Sequence, residues 1–376
     1  MRRVVGALAV LALVAVPSVA VEQAATAAAC QSWGVQPPNV GVEDNSLRGV
    51  SLTRDCVAWA VGYSTDTGTP RALIERWNGS AWKTQTAPAV GASSELSGVA
   101  ALSPTNAWAV GTVDNGPDQG FVLHWNGTAW SQKTSPNPGA TDNDLFAVAA
   151  VSASNVWAVG RYASGPSPFQ TLIEHWNGTS WTHVTSPNVG TLNNELEGIA
   201  VVSASNIWAV GDSIDIDTGQ STTLIVHWNG TKWKRVPSPN VGTEPNELRA
   251  VTAVSATNAW AVGGHGFTDR TLILHWNGTS WKRQKSPNVG SFQNGLWGVA
   301  AASASTVRAV GHFEDGATQI RFLVLRWNGT AWKVESKGPA DHETNFWAID
   351  ATSATNAWAV GDAGSTPSAT LAVHCC

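Results

Sequence analysis

The chain has 376 residues, 13% of them charged and 43% hydrophobic, with a formal net charge of −5. That composition is too apolar for a disordered chain, and no run of Lys or Arg offers the electrostatic footprint of a nucleic-acid binder, so a packed core is expected and nucleic acid is not. The length fits two or three ordinary domains, or one long all-β domain.

The first element is a leader. Arg2 and Arg3 precede an apolar run from Val4 to Val16, followed by Pro17 and small residues, the pattern of a secretory signal peptide over 1–29. The run is too short for a stable transmembrane helix, and no second apolar span follows. Ala29-Cys30 lacks a Leu three residues before the cysteine, so lipidation is not expected. The mature protein is expected outside the cell, with no membrane span, as a monomer.

Everything after the leader repeats. Leu47, Leu96, Leu145, Leu196, Leu248, Leu296 and Phe346 each open a unit, and units are 48 to 52 residues long. Twelve residues on come Trp59, Trp108, Trp157, Trp208, Trp260, Arg308 and Trp358, each followed by Ala-Val-Gly. Trp-Asn-Gly then starts at Trp77, Trp125, Trp176, Trp228, Trp276 and Trp327, and five residues past each stands another Trp. Each unit reads as four strands, a to d: Leu-x-Gly-Val-Ala-Ala, a tight Ser-x-Thr/Ser-Asn turn into Ala-Val-Gly, a β-rich run ending His-Trp, an Asn-Gly hairpin, and a last strand stopped by Ser-Pro-Asn. No segment has helical periodicity. Periods of this size with several strands per unit predict an all-β, seven-bladed β-propeller with four antiparallel strands per blade, a single domain over 30–376. Nineteen of the 21 tryptophans fall on framework positions, Trp33 included, and are expected to fill the wedges between blades.

The seventh unit stops at His374-Cys375-Cys376, before its Trp-Asn-Gly. Gln31-Ser32-Trp33 and Pro38-Asn39-Val40-Gly41 repeat the missing hairpin arm and its end, so residues 30–45 are expected to complete the last blade, closing the ring with both termini. Cys30, Cys375 and Cys376 meet at that splice and Cys56 begins a strand of the adjoining blade, which makes the four cysteines disulfide candidates in an oxidising compartment.

Asn-x-Trp-Ala-Val-Gly followed by His-Trp-Asn-Gly-Thr-x-Trp resembles the repeats of secreted bacterial β-propellers related to the kelch and sialidase-type (BNR) groups. The Asp-box turn and the kelch double glycine are absent. The resemblance covers 30–376 and implies architecture; propellers host enzymes, lectins and scaffolds alike.

Catalytic signatures are thin. The only tyrosines are Tyr63 and Tyr162, and no phosphate loop, Cys-pair metal motif or nucleophile elbow appears. No metal or cofactor is expected. The strand-c histidines His124, His175, His227, His275 and His374 lie on separate blades and cannot converge on one ion; an inter-blade packing role is expected for them. Asp212, Asp215 and Asp217 sit close in sequence and read as a solvated acidic loop, with calcium as the alternative. The clearest clue is where repetition fails. The residue after each opening Leu or Phe is Arg48, Ser97, Phe146, Glu197, Arg249, Trp297 or Trp347. These should begin strand a and ring one mouth of the central channel, on the side of the variable b–c loops. Arg48, Phe146, Glu197, Arg249, Trp297 and Trp347 are the candidate ligand-binding residues for an extracellular glycan or protein. The function expected is non-catalytic recognition or scaffolding, with a secreted enzyme acting on polysaccharide or glycoconjugate as the alternative.

Overall fold

The computed structural model describes residues 43–53, 57–65, 68–165, 168–316, 319–364 and 367–375. Among them are 27 strands and no helix, in seven antiparallel sheets. Six sheets have four strands; the seventh has three: Thr344–Ser353, Asn356–Ala363 and Ala369–Cys375. The first strands of successive sheets pack side by side around the channel, and the first blade lies against the seventh. Blade 2 is representative: Ser93–Ser103, Asn106–Asp114, Asp118–Trp125 and Trp130–Lys133 run from channel to rim. Cys30, Cys56 and Cys376 lie outside the described residues, as do the expected leader and the expected fourth strand of blade 7.

The repeated motifs have local causes. In the a–b turn the Ser103 hydroxyl accepts the Thr105 amide at 3.3 Å, and Ser103 pairs directly with Asn106. The c–d hairpin is a four-residue loop, not the two-residue turn that Asn-Gly suggested, because Trp125 pairs with Trp130. The tryptophans are thus directly opposite each other rather than diagonal. Only Gly127 takes positive φ, at 98°. Asn126 Oδ1 accepts the amides of Thr128 and Ala129 and the Thr128 hydroxyl, at 2.8–3.0 Å. This side-chain ring explains why Asn-Gly-Thr recurs. At the end of strand d, proline leaves the ladder and side chains replace it: Asn188 Oδ1 accepts the Thr171 amide at 2.8 Å, as Asn240 does for Thr223 and Asn288 for Thr271.

The core is a set of inter-blade wedges. Trp208 packs against Trp276 and Trp281 of the next blade at 4.9 and 5.2 Å, and Trp59, Trp108, Trp157, Trp260 and Trp358 repeat the arrangement. Trp358 reaches Trp77 and Trp82, which joins blade 7 to blade 1. Blade 6 carries Arg308 at this position, buried and gripped by Glu335 at 2.7 and 3.1 Å. The strand-c histidines each pack on the strand-b tryptophan of their own blade. His175 stacks on Trp157 at 4.1 Å and its Nε2 meets Asn155 at 3.0 Å; the other four do likewise.

Candidate functional site

Strand a begins earlier than its Leu and carries a bulge there. Leu47 pairs with Gly62 and Gly49 with Val61, so Arg48 has no partner across the ladder. The same skip leaves Ser97, Phe146, Glu197, Arg249, Trp297 and Trp347 unpaired. The seven variable residues are therefore bulge residues inside the strand, not its first residues. A bulge re-aims the side chain it releases, and all seven line one cavity of about 550 Å³ at the end of the channel where strand a starts. The bulge also explains Ala-Val-Gly. A Cβ on Gly211 would stand 2.0 Å from the Glu195 carbonyl oxygen, and the equivalent glycines are as tight, so no side chain fits.

Two further variable positions flank each bulge, and the sequence reading missed them. One precedes the Leu (Ser46, Glu95, Asp144, Glu195, Glu247, Gly295, Asn345); the other follows Ala-Val-Gly (Tyr63, Thr112, Arg161, Asp212, Gly264, His312, Asp362). They pair with each other across the ladder, as Glu195 does with Asp212 and Asp144 with Arg161. The signal was the same one, non-repetition, at positions two residues apart from the bulge or on the adjoining strand.

These positions give the mouth two unlike sides. On blades 5 to 7 and 1, Trp297 and Trp347 meet edge to face with centroids 4.8 Å apart. Both are partly buried, and their indole N–H groups donate to His312 and Asp362. Asp362 also accepts from Ser46 Oγ at 2.7 Å and Asn345 at 3.2 Å, which fixes the Trp347 ring. Arg249 lies 4.1 Å over Trp297 and Arg48 4.2 Å over Trp347. On blade 4, carboxylate oxygens of Glu195, Glu197 and Asp212 lie within 4.8 Å of one another. Burial, reinforced by the Glu195 charge, pushes Glu197 up to about 8 and raises Asp212 in the same direction, which favours the neutral form of both carboxyls. Glu195 is paired with Arg161 at 2.8 Å, and Asp212 accepts the Ser221 hydroxyl at 2.7 Å. The triad is the one grouping with metal-compatible spacing among the described residues. Its neutral acids and the adjacent Arg161 and Arg249 suit shared protons better than a cation.

Asp212, Asp215 and Asp217 do not converge. Asp212 is in a strand, as a member of the triad, while Asp215 accepts the Asp217 amide at 3.1 Å and so caps its own loop. The b–c loops open on the same end as the mouth, tied to the d–a links by bonds such as Thr65 N to Asp44 O at 2.9 Å. Of the cysteine candidates, only the Cys375 backbone is described, paired with Ala357. No disulfide is found among the described residues.

No family model matches the chain. No curated protein matches it either. Solved structures share its fold. A virginiamycin B lyase from Staphylococcus aureus, catalytically inactive and with quinupristin, is 12% identical with TM-score 0.61, covering 92% of this chain and 100% of that one. YCF48 bound to D1 peptide is 14% identical with TM-score 0.56, covering 92% and 97%. An ulvan lyase bound to -[GlcA(1-4)Rha3S]- is 10% identical with TM-score 0.56, covering 90% and 93%. At these identities the likeness is one of fold.

Proposed function

We propose that this protein is a secreted, non-catalytic recognition propeller that seats an extracellular ligand, in its most concrete form a glycan, in the channel mouth. One observation carries the reading: the seven unlike bulge residues all line a single cavity, while the framework motifs that hold them are nearly invariant. A cavity of about 550 Å³ is of the size that accepts a small ligand or the end of a larger one. The mouth offers aromatic rings, arginines and acids in unequal arcs, whereas the hairpin face offers copies of one short loop. The propellers similar in fold were captured with a peptide, with quinupristin and with a saccharide, so this frame tolerates many ligands and does not choose among them. The test is a glycan array followed by the paired change Trp297→Ser and Trp347→Ser. Binding should disappear while the melting temperature changes little. Binding that survives the pair, or maps to the hairpin face, rejects the reading.

A second reading has its own support. A protonated Glu197 beside an ion-paired Glu195 is the pairing of an acid with a base that glycan-cleaving sites use. A screen for hydrolase and lyase activity with Glu197→Gln as control decides it. Turnover that Glu197→Gln abolishes establishes an enzyme.

A further inference from the structure

The three arginines of the mouth share a build and differ in one respect. Each lays its guanidinium against an aromatic ring: Arg48 at 4.2 Å from Trp347, Arg161 at 4.4 Å from Phe169, Arg249 at 4.1 Å from Trp297. A guanidinium stacked by its face keeps its N–H donors in the plane, free at the edge for planar acceptors. Arg161 directs those donors to Asp144 at 3.1 Å and Glu195 at 2.8 Å. Arg249 directs them to Glu247 at 2.8 Å and Asp269 at 3.2 Å. Arg48 has the ring platform, with Tyr63 also at 5.6 Å, but makes no ion pair among the described residues. Glu95 feels its charge without reaching it. Arg48 is a bulge residue lining the cavity, so its donor edge borders the place a ligand would take.

Resting on the reading of the mouth as a recognition site, we propose that Arg48 is the anchor for a ligand carboxylate, and that the ligand is an acidic saccharide of the uronate type. A carboxylate matches the planar fork bidentately, as Glu335 does in this protein at Arg308, where Nε and Nη2 reach its two oxygens at 2.7 and 3.1 Å. The opposite arc favours a saccharide over a peptide. Glu197 lines the cavity on that side, and a carboxyl that burial holds neutral both donates and accepts hydrogen bonds, which suits sugar hydroxyls. A peptide ammonium would instead meet protonated acids beside Arg161 and Arg249. One molecule with a carboxylate at one end and hydroxyls at the other satisfies both arcs.

Calorimetric titration of the secreted protein tests this, using tetrasaccharides of galacturonate, glucuronate, mannuronate and guluronate, their methyl esters, and neutral galactose and glucose tetramers. At least one uronate should bind, and its ester should bind on the order of 10–100-fold more weakly, the size of a lost charged hydrogen bond. Arg48→Gln should lose about the same factor on the acid and almost nothing on the ester. Arg48→Lys, which keeps the charge without the fork, should fall between them. An unchanged melting temperature in both variants separates this from misfolding. If acid, ester and neutral sugars bind alike and Arg48→Gln is silent, the anchor is wrong while recognition at the mouth stands. If the whole saccharide panel fails, or only a peptide with a free C-terminal carboxylate binds, the saccharide class is wrong. If a uronate binds but Trp297→Ser and Glu197→Gln leave its affinity unchanged, the reading of the mouth itself falls.

Discussion

Trp208 and Trp276 carry the same side chain into different surroundings. Trp208 is 2% exposed, at the bottom of an inter-blade wedge, whereas Trp276 is only partly buried and its indole N–H reaches Ala256 O at the surface. Trp208→Ala is therefore expected to cost about 3–5 kcal/mol, as deep aromatic truncations do, and Trp276→Ala distinctly less. Chemical denaturation of the two variants checks the order. The sequence marks both as framework but cannot rank them, because the repeat holds them equally constant. Titration at the mouth gives a second expectation. Burial holds the Glu197 and Asp212 carboxyls above their unfolded values of about 4, Glu197 up to about 8, so the native state holds more protons between those values. Their contribution is complete at low pH and lost as pH rises through 8. Burial pushes His124, His175, His227 and His275 down, with the opposite sign, and their contribution is complete above 6.5. Above 6.5 the carboxyls act without opposition from these histidines. The melting temperature should fall between pH 6.5 and 8.5, and Glu197→Gln should flatten that fall; a slope unchanged in the variant would contradict the assignment.

Within one blade, constant residues turn out to serve contacts that the linear pattern does not display. Asn-Gly-Thr looks like a glycosylation sequon, and the structure gives its Asn, its Gly and its Thr each a local use. Asn177→Ala removes three acceptor bonds at once, from the Thr179 amide, the Thr179 hydroxyl and the Ser180 amide. The loss should be about 1–2 kcal/mol, because the loop is exposed and water replaces part of it. Gly160→Ala should be worse, since its Cβ would stand 1.9 Å from the Asp144 carbonyl oxygen and force the bulge open. Thermal melts that rank these two changes the other way would overturn the account. Strand order and the four-strand unit were legible from spacing alone. The hairpin length and the bulge were not: both depend on which residues face each other across a ladder, and spacing along one strand is silent about that.

At the scale of the ring, the seventh blade is the informative one. Ser368, just before its last described strand, donates its amide to Asp44 at 2.8 Å and accepts the Asn45 amide at 2.9 Å. The chain therefore enters blade 1 beside the outer edge of blade 7. Buried Thr370 occupies the register position of Thr171, Thr223 and Thr271, each capped by an Asn that lies eight residues before the next opening Leu. Asn39 stands eight residues before Leu47. Closure by the N-terminal segment is accordingly expected, and its measurement is direct. A chain starting at Glu43 should melt lower than one starting at Cys30 and exchange amide hydrogens faster across 369–375. Equal protection in both would exclude the splice. If Cys30 is oxidised to Cys375 or Cys376, reduction should remove up to about 4–5 kcal/mol by the loop-entropy argument.

The bulge has a consequence for how such a protein can diversify. At seven places around one opening, the ladder releases a single residue that has no pairing partner across it, and the neighbours that hold the backbone in place, a buried Leu or Phe and a glycine, are the same each time. Content and frame are thereby separated. A display library randomised at residues 48, 97, 146, 197, 249, 297 and 347 should yield mostly folded members with new specificities. Randomising the glycines at 62, 111, 160, 211, 263, 311 and 361 instead should yield almost none, and the fraction of soluble clones in the two libraries would measure how complete that separation is.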